Sequence, residues 1–210
     1  MIFTKIKRCF YFFLNMNDFN LFFGIGIEHI LNTGALDHIL FIMVLCAVYL
    51  IADWKKLLVL ITAFTIGHSL TLALSVYDVV RFNSSWVEFL IPLTIVLTAL
   101  YNLAIAKKTV PQGKLQLNYF IALFFGLVHG MGFANNIRFM LAESQQILLP
   151  LLGFNIGLEL GQIIVVSILL LLGYFAVKII RLQRNYWSMG LSVIGLIAGA
   201  IMCVQRVPGT

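Results

Sequence analysis

Leu57-Leu58-Val59-Leu60-Ile61-Thr62-Ala63-Phe64-Thr65-Ile66-Gly67-His68-Ser69-Leu70-Thr71-Leu72-Ala73-Leu74-Ser75-Val76 is the stretch that decides the fold. It holds no Asp, Glu, Lys or Arg, and its length is that of an α-helix crossing the roughly 30 Å hydrocarbon core of a bilayer. Similar apolar runs occupy Ala35–Ala52, Val87–Ala106, Asn118–Ile137 and Trp187–Val204. A longer run, Ile147–Ile180, would measure about 51 Å as one helix, more than the core needs. It is therefore expected to be broken or to project from the membrane; Pro150, Gly153 and Gly157 mark the expected break, leaving a span over about Asn155–Val177. Phe19–Asn32 is amphipathic and short, so it is expected to be an interfacial or re-entrant helix ended by Asn32-Thr33-Gly34. The expected fold is therefore an all-α polytopic bundle of six spans plus that short helix, or seven spans if it crosses.

Composition agrees with this reading. Of the 210 residues, 61% are hydrophobic and 10% charged, whereas a soluble domain carries about 25% charged residues. The net charge of +6 does not point to nucleic acid, because the basic residues lie in loops with no aromatic interleaving. With Lys55 and Lys56 in the cytoplasm, alternation puts Lys107, Lys108, Lys114, Lys178, Arg181 and Arg184 on the same side. The other side receives Arg81, Arg138 and Arg206. That bias orients the bundle with an extracytoplasmic C-terminus. Cys9, Cys46 and Cys203 form no CxxC pair and read as small apolar residues. Residues 1–15, with Lys5, Lys7 and Arg8 before an apolar run, are either an N-terminal segment or an upstream extension ahead of a start at Met16. Residues 16–210 form a single transmembrane domain.

Ionisable groups inside spans are costly and mark function. Helix rise and loop charge place His29, Asp37, His38, His68 and His129 in the outer half, with Glu28, Glu88 and Glu159. Imidazole favours nickel, cobalt, zinc and copper, and a carboxylate beside it orients the ring or joins the metal shell. Asp37 and His38 are neighbours about 100° apart on a helix, so one can face a metal while the other meets another helix. Ser69 follows His68 in the same geometry. Each of these has a plainer reading: lone histidines bond between helices, Glu88 opens a helix, Asn155 caps one, and Glu159 with Gln162 pair along one face. Four histidines at one level favour the metal.

These stretches resemble the HupE/UreJ family of membrane proteins. Gly26-Ile27-Glu28-His29-Ile30 leads to Asp37-His38-Ile39-Leu40-Phe41, followed by Phe64-Thr65-Ile66-Gly67-His68-Ser69-Leu70-Thr71. Val87-Glu88, Phe125 to Ala134, and Asn155-Ile156-Gly157-Leu158-Glu159-Leu160-Gly161-Gln162 complete the pattern. The resemblance implies a multi-pass protein of the bacterial cytoplasmic membrane, associated with hydrogenase and urease gene clusters and regarded as a nickel permease. By it, His29, Asp37, His38, His68 and His129 are the motif residues. The Asp-His pair is also similar to that of larger nickel/cobalt transporters, more loosely, because His29 and Asp37 are separated by seven residues including Gly34.

The sequence thus predicts a permease for a divalent transition metal, with nickel first and zinc, cobalt or copper as other candidates. Its partners are the lipid bilayer and the ion, and oligomeric state is left open. Two other readings stand beside it. One is an intramembrane metal-dependent hydrolase with Glu28 or Glu159 as base; the other is a non-transporting accessory protein.

Overall fold

The structure, a computed structural model, describes residues 2–32, 36–105, 115–141 and 147–209, with side chains from residue 17 in the first helix and from 118 in the fifth. Among the described residues seven α-helices follow one another: α1 Ile2–Leu31, α2 Leu36–Cys46, α3 Trp54–Val76, α4 Ser84–Ile105, α5 Leu115–Leu141, α6 Leu148–Tyr174 and α7 Arg184–Gln205. The 3-10 turn Ile51–Asp53 leads into α3, and the π-helical turn Phe175–Ile179 ends α6. Ile51–Val76, Ser84–Ile105, Asn118–Leu141, Leu148–Ile179 and Arg184–Gln205 are each long and apolar enough to cross a membrane. Their outward surface is apolar, with Ile66, Leu70, Leu97, Phe124, Leu171 and Ile197 exposed. Water would not tolerate that surface, but lipid does.

The expected all-helical membrane bundle is what the chain forms, with three local differences. Ala35–Ala52 is not a span by itself: α2 has 11 residues, about 17 Å of helix. It qualifies only together with Asn17–Leu31, at a bend of 67°. The packing of α1 explains why. An added Cβ at Gly153 would meet Phe19, at Gly157 Phe23, and at Gly161 Ile27 and Ile30. The contacts advance in the same sense along both chains, so α1 runs parallel to α6 into the bundle, and α2 continues toward the opposite end. Asn17–Leu31 and α2 form one bent pair, a broken span or a re-entrant loop, and α1 packs lengthwise against α6. Thr33 and Gly34, the expected stop between them, lie outside the described residues.

The third difference concerns α6. It runs unbroken through Pro150, Gly153 and Gly157. Pro150 is its third residue, where the missing N–H has no intrahelical acceptor to lose. The two glycines do not break the helix because they serve a contact. Irregularity occurs instead at the π-helical turn. Asn155 accordingly caps nothing and lies within the helix.

Backbone approach of this kind recurs. A Cβ at Gly67 would strike the Leu123 carbonyl, and one at Gly126 the Phe64 carbonyl. Likewise a Cβ at Gly26 would strike the Phe154 carbonyl, and one at Gly157 the Phe23 carbonyl. The α3/α5 and α1/α6 pairs therefore share one register, built on glycines that let backbones touch in lipid. With α4/α7 they are the most extensively packed pairs, and α2 is wedged between α4, α6 and α7.

Ion pairs mark the two ends of the bundle. Asp53 meets Lys56 at 2.8 Å and Arg184 at 3.7 Å, and Arg184 donates to the Val48 carbonyl at 2.6 Å. At the other end Asp78, after α3, binds Arg81 at 2.7 Å and Arg138, at the end of α5, at 2.9 Å. The Arg81 hydrogen bonds hold the exposed Asp78 carboxyl below its ordinary range. Lys107, Lys108 and Lys114 lie outside the described residues.

Candidate metal centre

Four helices deliver one imidazole each: His29 from α1, His38 from α2, His68 from α3 and His129 from α5. His29, His38 and His68 each present a ligand atom within 4.8 Å of the other two. Ring centroids are 4.6 Å apart for His29 and His38, and 5.8 Å for His29 and His68. His129 stands beside His38 at 5.1 Å. His68 lies fourteen residues into a 23-residue helix, so the cluster is a little past the middle of the span.

The polar neighbours decide which nitrogen each ring offers. Asp37 Oδ1 is 3.0 Å from His38 Nδ1. A carboxylate only accepts, so Nδ1 carries a proton and Nε2 is the nitrogen left to face the cluster. The Thr94 hydroxyl donates to the Ile91 carbonyl at 2.7 Å and lies 3.0 Å from His129 Nε2. Its proton is committed, so Nε2 donates to it and Nδ1 is the lone-pair nitrogen. His38 Nε2, His129 Nδ1, His29 Nε2 and both nitrogens of His68 are buried without a hydrogen-bond partner among the described residues. Each orphaned buried polar atom costs about 1–3 kcal/mol. Five in one cluster are a large debit unless something cationic or polar joins them.

The walls around the rings are aromatic. Phe133 and Phe154 stack on each other at 5.1 Å and flank His29. Phe41 and Phe64 stack at 5.1 Å and flank His129. Such walls exclude competing water and hold the imidazoles nearly in place. Nitrogens about 2.0–2.1 Å from an ion lie roughly 3–4 Å apart, so closure on a metal asks for about 1 Å of movement.

Asp37 stands behind His38. Its Oδ2 accepts from Arg206 Nη1 at 3.2 Å, and its Oδ1 also accepts from the His38 backbone N–H at 3.0 Å. The neighbours have separated as expected: His38 faces the cluster while Asp37 reaches α7's end. The carboxylate orients the ring, as in carboxylate–histidine–metal triads.

The other candidates fall elsewhere. Glu28 and Glu88 are exposed, with no side-chain bond among the described residues. The Ser69 hydroxyl donates back to the Thr65 carbonyl of its own helix at 2.6 Å. Glu159 accepts from Thr62, and Gln162 from Thr65. Asn155 Oδ1 is buried without a partner. Thr94 and Arg206 were not expected in the site. Thr94, two residues after Pro92 in the apolar middle of α4, is a usable signal, whereas Arg206 read only as a loop charge.

The profile of the family described as HupE / UreJ protein matches residues 10–206 of this chain. No curated protein and no solved structure matches it. The match spans every helix that supplies a histidine, and the chain is a member of the HupE/UreJ family.

Proposed function

We propose that this protein is a permease for a divalent transition metal, nickel foremost, with its C-terminus on the extracytoplasmic side. The supporting observation is the convergence of four imidazoles with unpartnered nitrogens inside an aromatic-walled bundle. An ion of the nickel, cobalt, zinc or copper group can take one lone-pair nitrogen from each of His29, His38 and His68, while hard ions prefer oxygen. The family's association with nickel handling points to the same cargo. His29, His38, His68 and His129 would exchange the ion's hydration waters for imidazole. Asp37 would hold the His38 tautomer. Multi-ligand binding of moderate strength allows the ion to leave again.

A hydrolase would need a base at the rings, and the geometry does not favour one. Glu28 is exposed and Glu159 is bound to Thr62. An accessory role with structural histidines would show as purified protein without metal and folded histidine variants. The test of the permease reading is uptake of radioactive nickel into proteoliposomes by the wild type, His38→Ala and His68→Ala. Accumulation by the wild type that drops at least tenfold in both variants is the expected result. Equal uptake by all three would discard the reading.

A further inference from the structure

The histidines do not use the polar groups that α3 and α6 share nearer the Asp53 end. Thr62 donates to Glu159 Oε1 at 2.6 Å, and Thr65 to Gln162 Oε1 at 2.9 Å. Thr65 and Thr62 precede His68 by three and six residues, about 4.5 and 9 Å along the helix. On α6, Asn155, Glu159 and Gln162 follow the i, i+4, i+7 spacing of a single stripe. Thr65 and Gln162 are buried, Glu159 is half-buried, and the orphaned Asn155 Oδ1 is buried in the same stripe. Glu159 has no cationic partner among the described residues.

A carboxylate between membrane helices is costly until a cation neutralises it. The two α3/α6 bonds bring a carboxylate, two hydroxyls and an amide carbonyl to one stretch of the seam, all oxygen donors. Oxygen sets bind divalent ions of the nickel group more weakly than imidazole does.

We propose that Glu159, Thr62, Thr65 and Gln162 form a second cation site on the Asp53 side of the histidines. It holds a divalent ion weakly through oxygen and receives it once it leaves His68. Its role in transit rests on the permease reading, but its existence as a binding site does not. On that reading it supplies the next step after the histidines toward the Asp53 end.

Equilibrium dialysis of cobalt(II) against the detergent-solubilised full chain tests it, with visible absorption recorded in parallel. Imidazole-bound, low-coordinate cobalt absorbs intensely, and six-coordinate oxygen-bound cobalt is pale. The wild type should bind one tight, intensely absorbing ion and one weaker, pale ion. Glu159→Gln should lose the weak ion and keep the intense band. Thr62→Val should weaken the same ion several-fold, and His68→Ala should lose the band but keep the weak ion. Unchanged stoichiometry in Glu159→Gln, or loss of the intense band with it, would overturn the proposal. Wild-type protein that fills both sites yet accumulates no cobalt in liposomes would overturn the permease reading and leave the second site standing.

Discussion

At position 37 a carboxylate in a bent helix pair touches two partners of opposite purpose. Its Oδ1 fixes the His38 proton, and its Oδ2 holds Arg206. Asp37→Asn removes the charge that keeps Nδ1 protonated, and should lower nickel affinity by about 10–100-fold in an equilibrium titration, with the fold retained. Arg206→Gln should act the other way. An incoming dication meets the four rings and a carboxylate that already pairs with Arg206, so the guanidinium opposes it. Removing that charge should tighten binding by roughly tenfold, about 1.4 kcal/mol, because Asp37 keeps both of its bonds to His38. Unchanged or weaker binding would mean that Arg206 only props up Asp37. The histidines were legible in the sequence because an imidazole in an apolar run has few ordinary uses. Arg206 was not, since a basic residue after the last span satisfies the loop-charge rule without any tertiary partner.

Helices in this bundle are ordered by what their glycines permit. Gly24 would accept a Cβ in open space, whereas at Gly67 and Gly126 it would strike a backbone carbonyl. Gly67→Ala and Gly126→Ala should each destabilise the protein by about 1–3 kcal/mol or more. Gly24→Ala should cost no more than about 0.5 kcal/mol, and thermal unfolding in detergent separates the three. Pro150→Ala should be similarly mild, because a proline in the first turn forfeits no helical hydrogen bond. The continuity of α6 shows why its break was expected wrongly. Pro and Gly weaken a helix in isolation, but Gly153 and Gly157 are where α1 docks, and packing outweighs propensity. The half-length of α2 was equally hidden. Apolar composition runs on past Cys46, and only the bend between α1 and α2 reveals that α2 is too short to cross by itself.

For the molecule as a whole, the ion pairs gather Lys56 and Arg184 at one end and Arg81, Arg138 at the other. Single-cysteine labelling in intact cells should find position 183 protected and position 207 accessible, with Cys9, Cys46 and Cys203 replaced. The reverse pattern would invert the proposed orientation. Asp78 titrates below the usual carboxylate range, so its link to Arg81 and Arg138 is complete above that range and is lost as pH falls through the lowered value. Nickel at a hundred times its dissociation constant should stabilise the fold by about 2.7 kcal/mol, and a histidine variant should lose that shift. One further consequence follows from the glycine-locked pairs. His29 belongs to the α1/α6 block and His68 with His129 to the α3/α5 block, while cohesion within each block far exceeds cohesion between them. A slight slide of one block past the other would spread the imidazoles without unpacking either, so on the proposed reading the grip on an ion and the geometry of the seam are a single mechanical variable.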